Sequence, residues 1–511
     1  MAILPVSLKD DSQLFIVKKD LSGGVNTRQN EQILSDNQST VLTNVNLDVQ
    51  GERSIRPGNT LIEDLSNNAG TGLFGFEPDG GSNELLVTED TNLWGWAGSG
   101  SFTKHKDNFT TNLATKMIKA GESGEGDVVL ITNGTDNVFR MKMDHTFQDL
   151  GNTSGTGSDS PPKSRAITYF RNRVWILKEN CLYYSSAFPT DYSTAFDTVS
   201  NFFYVPCGTT MGIAGIRDQG ILCFGTDSVW GINPSSTPVA TDKPERLFDI
   251  GCAAWDTICQ VGDDVLYLAY DGVRQLYRNI QDKLQTGSSY PISYLLKTQY
   301  DNINWAYINK ASAIYWDNKY FISLPTGSST YNNEVWIYYV ASKSWAVISG
   351  WNVARFAKLK IGGQERLYGV DSTDGSVYRL WYGTSDNGTA ISYTEEGRAE
   401  DFGKPLQYKY GGEVKIRANG GTGTVIVSVN LDGEGYQQLG SISLATQGIT
   451  FPVTFPLTFT STQEVHEEWH LDSLGRFKKI KPKISCSTLN ATLTVIELIM
   501  TTYADEYEAE E

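Results

Sequence analysis

The chain has 511 residues, of which 40% are hydrophobic and 20% charged, a balance that supports a buried core and excludes a wholly disordered chain. Its 42 basic residues stand against 59 acidic ones, a net charge of −17 that argues against gripping nucleic acid by charge. No apolar run reaches about 18 residues, so membrane insertion is not expected, and 26 Tyr, 12 Trp and 49 Gly favour strands and tight turns over helices.

The first residues read MAILPVSLKDD, an apolar stretch broken at Ser7 and followed by Lys9, Asp10 and Asp11, which does not fit a signal peptide. Residues 1–66 are expected to form an N-terminal arm. It carries SGGVN at Ser22–Asn26 and closes on GERSIRPGNT at Gly51–Thr60. Within it, SDNQSTVLTNVNLD (Ser35–Asp48) offers an Asp or Ser cap before a short helix or turn.

From 67 to 390 one pattern recurs: an apolar strand, a short polar turn, and a strand opening on an apolar–aromatic step. The copies are Glu84–Trp96, Asp127–Met141, Arg173–Ser185, Gly220–Ile232, Val265–Tyr277, Tyr320–Tyr339 and Arg366–Tyr382. Their marker positions are Trp94, Phe139, Tyr183, Trp230, Leu276, Trp336 and Tyr378, spaced 42–47 residues apart except for one interval of 60. A strand-built repeat of about 40–50 residues matches a four-stranded propeller blade, each copy supplying a middle or outer hairpin. The expected fold is therefore all-β, a β-propeller of about seven blades, with six or eight also compatible; an array of β-sandwiches has similar strand spacing. Asn133-Gly134, Asp271-Gly272 and Asp374-Gly375 supply turn residues that accept positive φ. In the long interval, Ser288–Tyr307, the spacing of Ile292, Leu295 and Leu296 predicts a short helix between blades.

Residues 391–503 read as a C-terminal β-sandwich, with turns at Gly420-Gly421 and Asp432-Gly433 and later strands in Lys478–Cys486 and Ala491–Met500. Residues 504–511 form an acidic tail expected to be disordered. The cysteines, Cys181, Cys207, Cys223, Cys252, Cys259 and Cys486, are scattered with no CxxC pair, which predicts reduced core residues in a reducing cytosol.

The sharpest chemical motif is His466-Glu467-Glu468-Trp469-His470, a match to HExxH. In metalloproteases that motif lies on a helix, so that both histidines reach one zinc. Here Val465, Glu467, Trp469 and Leu471 alternate with His466, Glu468 and His470, which predicts a strand and a solvated histidine face; His105 and His145 lie far away in sequence. Asp371–Ser376 (DSTDGS) lacks the ordered carboxylates of a calcium loop and reads as a hairpin turn. Arg476, Lys478, Lys479, Lys481 and Lys483 could meet phosphate or an acidic neighbour, but a solvated strand face is the commoner outcome for such a run. The acid pairs Asp263-Asp264, Glu395-Glu396 and Glu467-Glu468 point to opposite faces of a strand and make no acid–base pair. No phosphate loop or GxSxG turn occurs. No catalytic, cofactor-binding or metal-ligating residue is therefore expected, and the chain does not read as an enzyme.

Several segments together resemble the tail-nozzle and packaged-DNA stabilisation (head-to-tail) proteins of short-tailed phages. The arm Ser22–Gly58 is similar to that family's Gly-Gly-Val-Asn opening, Asn-rich middle and closing Gly-x-x-x-x-Arg-x-Gly, here Gly51, Arg56 and Gly58. Ala166–Leu177, Ile250–Leu276 and Asn332–Trp351 resemble its blades, and Leu474–Ile484 its C-terminal β-domain. The resemblance implies a structural virion protein: a propeller in a ring, a hexamer in that family, placed in the tail after assembly in the host bacterial cytoplasm. It further implies contacts with portal and adaptor proteins and with a needle, spike or fibre, while packaged DNA passes through the channel without sequence-specific binding. A glycan- or receptor-binding propeller, with Trp94, Trp96 or Trp351 stacking on sugars, is the competing expectation.

Overall fold

The computed structural model describes residues 13–65, 68–151, 159–216, 220–286, 288–445, 447–450, 458–461 and 463–505. The expected acidic tail lies almost wholly outside them. The described chain is all-β with little helix.

Antiparallel meanders follow one another along the chain. The first sheet is Gly70–Phe76, Glu84–Glu89, Asn92–Trp96 and Thr103–Lys106; the second is Lys116–Glu122, Gly126–Thr132, Phe139–Met141 and Phe147–Asp149. The third is Ile167–Phe170, Arg173–Lys178, Cys181–Tyr184 and Phe202–Tyr204; the fourth is Thr210–Ile216, Gly220–Gly225, Val229–Ile232 and Glu245–Phe248. The fifth has three strands, Cys259–Val261, Asp264–Ala269 and Gly272–Gln275. The sixth is Val353–Ile361, Gln364–Asp371 and Val377–Leu380, completed by Asn59–Glu63 from the arm. Between the fifth and sixth stands a quartet, Ser312–Trp316, Lys319–Leu324, Glu334–Tyr339 and Ser344–Ser349.

Each hairpin read from the sequence is the second and third strand of one of these sets. The second strands have continuous apolar runs because neighbouring sheets cover both faces: Glu84–Glu89, Gly220–Gly225 and Lys319–Leu324 are buried at every position. Apolar clusters join each set to the next. Leu86 and Phe76 pack with Val129 and Ile131, Val128 and Leu130 with Ile176, and Trp175 and Leu177 with Ile221. Leu222 and Phe224 then meet Val265 and Tyr267, and Leu85 and Val87 close the circle against Leu359 and Tyr368. This is a β-propeller arrangement with six separate sheets, a count the repeat also allowed, the last of them completed by the arm.

The expectation of seven like blades is thereby corrected. The quartet holds a place in the circle but is fused to the C-terminal region. Its last strand pairs in parallel with Val41–Thr43 of the arm, at Thr43↔Val347, and Val41–Thr43 pairs in turn with Tyr393–Glu396. The segment expected to open a short helix or turn does turn at Ser35–Gln38, where the Gln38 N–H donates to the Ser35 carbonyl at 2.9 Å, and then runs on as strand, Val41–Thr43 and Val45–Asn46. The short helix expected within Ser288–Tyr307 is Lys297–Asp301, which begins just after Ile292, Leu295 and Leu296. A longer helix, Leu276–Thr286, directly follows the third strand of the fifth sheet. Asp264 caps the longer helix, accepting from the Tyr277 and Arg278 N–H groups at 2.8 and 3.1 Å.

In the C-terminal region a 19-residue strand, Glu413–Leu431, organises the sheet. Its first half pairs with Gln463–His470 and Thr492–Ala504, its second with Tyr436–Ala445 and Ile480–Cys486. Gly420-Gly421 is therefore the place where the strand changes partners, not a turn; a Cβ on Gly420 would lie 2.1 Å from the Thr492 carbonyl. Asp432-Gly433 does turn the chain, at φ 53° and 91°.

The arm holds propeller and C-terminal sheet together through two buried arginines. Arg53 donates to the Leu21 and Asn37 carbonyls at 2.6 and 2.8 Å and pairs with Glu395 at 3.4 Å. The Arg56 guanidinium donates to Asn44 Oδ1 (2.9 Å), to the Ser349 carbonyl (3.1 Å) and to both oxygens of Asp386 (2.9 and 2.7 Å), 4.6 Å from the centre of the Trp351 ring. Gly58 leaves the space this joint requires, since a Cβ there would meet the Ser385 carbonyl at 1.9 Å. Breaking a buried, multiply bonded pair leaves a stranded charge. We expect Arg56→Ala to lower stability by about 3–5 kcal/mol, read as a shifted denaturation midpoint, and Arg56→Lys to recover little of it, because an ammonium cannot supply the fork.

Candidate functional site in the propeller channel

The first strands of the sheets face the propeller axis. Those of the first and second sheets, the quartet and the sixth sheet, together with Ile258 and Cys259 of the fifth, line a cavity of about 470 Å³. Its polar lining is Glu77, Thr115, Lys116, Lys119, Asp256, Arg355, Lys358 and Glu365.

At its centre of charge is Asp256, in the loop before the fifth sheet. The carboxylate accepts from Ser312 Oγ at 2.7 Å and pairs with Lys116 at 3.3 Å and Arg355 at 3.5 Å. The preceding residue, Trp255, is buried, and three cations surround its ring: Lys116 at 5.7 Å, Arg165 at 5.1 Å and Arg355 at 5.1 Å from the centroid. Burial pulls the Arg355 and Arg165 guanidinium values below their ordinary range, and the Asp256 charge acts against that pull. Lys116 and Arg355 thus share the one Asp256 carboxylate, and Arg165 joins them around the Trp255 ring. The other lining cations are paired as well, Lys119 with Asp127 at 3.0 Å and Lys358 with Glu365 at 3.7 Å. None of the four histidines lines the cavity. Asp256, Lys116, Arg165 and Arg355 come from four separate parts of the chain with no local motif, so sequence reasoning missed them.

The HEEWH segment is strand, as its alternation predicts. Four residues along a strand span about 13 Å, too far for two histidines to share one metal. His466 is 69% exposed beside Glu464 at 3.0 Å, and His470 is 64% exposed beside Glu413 at 3.5 Å. The Lys415 ammonium sits between Glu413 (2.7 Å) and Glu468 (2.8 Å), and these bonds push its value up.

The DSTDGS segment is a hairpin turn, with Asp371 Oδ1 accepting from the Thr373 N–H and hydroxyl at 2.7 and 2.6 Å. The basic run meets acidic neighbours: Lys479 and Lys481 face Glu31 of the arm, Lys481 and Lys483 face Glu396, and Arg476 pairs with Asp505. Glu395 turns inward to Arg53 while Glu396 turns to the lysines, the opposite-face geometry expected of adjacent acids. Trp96 and Trp351 are buried and Trp94 packs against the same core as Trp96. Cys207, Cys223, Cys252 and Cys486 are buried and free; burial pushes the Cys207 thiol up to about 11 and the Cys252 thiol to about 12, so both are protonated at neutral pH.

No family model matches the chain, and no curated protein does. Solved structures with similar arrangements include BBS1N in complex with ARL6DN, at 12% identity over 64% of this chain and 96% of that one, TM-score 0.36. PorZ, a surface component of the type-IX secretion system of Porphyromonas gingivalis, matches at 11% identity over 70% of this chain and 44% of that one, TM-score 0.36. An exo-β-1,3-galactanase from Phanerochaete chrysosporium matches at 11% over 88% of this chain and 100% of that one, TM-score 0.27.

The channel cluster has a measurable consequence. Asp256→Asn leaves Arg355 buried without its counter-charge, and we expect a loss of about 3 kcal/mol in denaturant unfolding. Added sulfate should restore part of that loss by occupying the released cations.

Proposed function

We propose that this chain is a structural component of a short-tailed phage tail, a propeller that joins further copies in a ring-shaped conduit for packaged DNA and docks other tail proteins. The observation that carries the reading is the arm. Within the stretch that carries the resemblance, Ser22–Gly58, the residues Gly24, Arg56 and Gly58 lock the arm to the quartet, the sixth sheet and the C-terminal region, whereas a Cβ on Gly51 of the same motif would meet only Lys19 of the arm itself. Gly24 sits at φ 73° where a Cβ would lie 2.7 Å from the Trp345 N–H.

Charge supports the same reading. A ring of copies that each carry a net −17 repels the DNA it conducts, so the strand slides without adhering. A closed ring needs a heterologous interface, one surface on each copy meeting a different surface on the next. The C-terminal sheet lies outside the propeller circle and is free to provide one face of it. Of the proposed sugar platforms of the competing glycan-binding reading, Trp96 and Trp351 are packed inside and Trp94 is half-buried.

Negative-stain images of the purified chain, and of the virions that carry it, should contain rings with a central pore. Monodisperse monomers at every concentration and salt, together with particles lacking the protein, would sink the proposal.

A further inference from the structure

Glu84, His105 and His145 lie far apart in sequence but meet on the rim between the first and second sheets. Glu84 opens the second strand of the first sheet, His105 lies on that sheet's outer strand, and His145 is in the turn between the last two strands of the second sheet. Glu84 Oε1 is 2.7 Å from His105 Nε2, and Glu84 Oε2 is 2.9 Å from His145 Nε2. The two imidazoles stack with centroids 3.9 Å apart and planes 16° from parallel, each presenting its Nε2 to one oxygen of the same carboxylate. One donor atom from each of the three residues lies within 4.8 Å of the others.

We propose that Glu84, His105 and His145 bind one divalent transition-metal ion of the zinc class, which clips the first sheet to the second. Two imidazole nitrogens and one carboxylate oxygen are a donor set that zinc accepts, with a solvent molecule as fourth ligand. Zinc ligands at about 2.0–2.1 Å in a tetrahedron stand about 3.3 Å apart, so the two Glu84 contacts open by about half an ångström and the stacked rings turn out of parallel to aim both Nε2 lone pairs at one ion.

Three further observations point to a built site. Gly95, on the strand between Glu84 and His105, provides the floor: a Cβ there would lie 2.1 Å from both Glu84 Oε1 and His105 Nε2. His145 is held at φ 62°, a backbone region that most side chains avoid, and this conformation brings its ring onto Glu84. Exposure is graded as an ion-entry path requires: His105 is 7% exposed, Glu84 11% and His145 41%. The other trio of this kind, Glu413, Glu468 and His470, already holds the Lys415 ammonium between its carboxylates.

The test is calorimetric titration of the chelator-treated, dialysed full chain with zinc chloride. One equivalent should bind, with a rise in melting temperature. His105→Ala, His145→Gly and Gly95→Ala should each weaken binding by more than about tenfold, while His470→Ala leaves it unchanged. His145→Gly is the decisive variant, because glycine suits the positive φ and the site is partly exposed, so folding is preserved. Cobalt in place of zinc should give the visible absorption of a four-coordinate ion in the wild type and lose it in His145→Gly. No saturable binding, or binding that survives His145→Gly and disappears in His470→Ala, overturns the proposal.

Discussion

The structure depends on the burial of two guanidinium groups, Arg53 and Arg56. A charge of that size is costly to remove from water unless its donors are satisfied and a carboxylate faces it. The arm satisfies both conditions only when propeller and C-terminal region are in place. Arg53 needs Leu21 and Asn37 from the arm and Glu395 from the start of the C-terminal region. Arg56 needs Asn44 from the arm, Ser349 from the quartet and Asp386 from the segment after the sixth sheet. The two arginines, three residues apart, thus make the three parts one cooperative unit.

That joint accounts for the departure from a simple repeat. A free-standing blade ends on an exposed edge strand, which is a liability. The quartet's last strand avoids exposure by pairing with Val41–Thr43, and the sixth sheet obtains its fourth strand from Asn59–Glu63. The arm therefore covers one edge and completes another within about twenty residues, closing the circle through chain ends distant in sequence. The fifth sheet has three strands and runs on into the helix Leu276–Thr286, which packs against its second strand and the outer strand of the fourth sheet.

Charge is arranged in opposition. The whole molecule is acidic, yet the channel gathers Lys116, Arg165 and Arg355 around Trp255 and Asp256. On the rim, histidines that no motif connects converge on Glu84. Both clusters are products of the circular packing, which brings residues from separate blades to one axis and one seam.

The repeat was legible in the sequence because each hairpin carries its own evidence: an apolar run long enough to be buried on both faces, then a turn, then an aromatic step. Trp94, Phe139, Tyr183, Trp230, Trp336 and Tyr378 all fall on third strands for that reason. The strand character of HEEWH and the opposed faces of Glu395 and Glu396 were likewise determined locally, by the two-residue period of a strand. Tertiary structure alone decided the rest. Pairing of Thr43 with Val347, Asn59–Glu63 with Val377–Leu380, and the meetings at Asp256 and Glu84 join residues tens to hundreds of positions apart. Such contacts leave no periodicity in either partner. Gly420-Gly421 shows the same limit from the other side: two glycines permit a turn or a change of strand partners equally, and only the neighbouring strands chose between them.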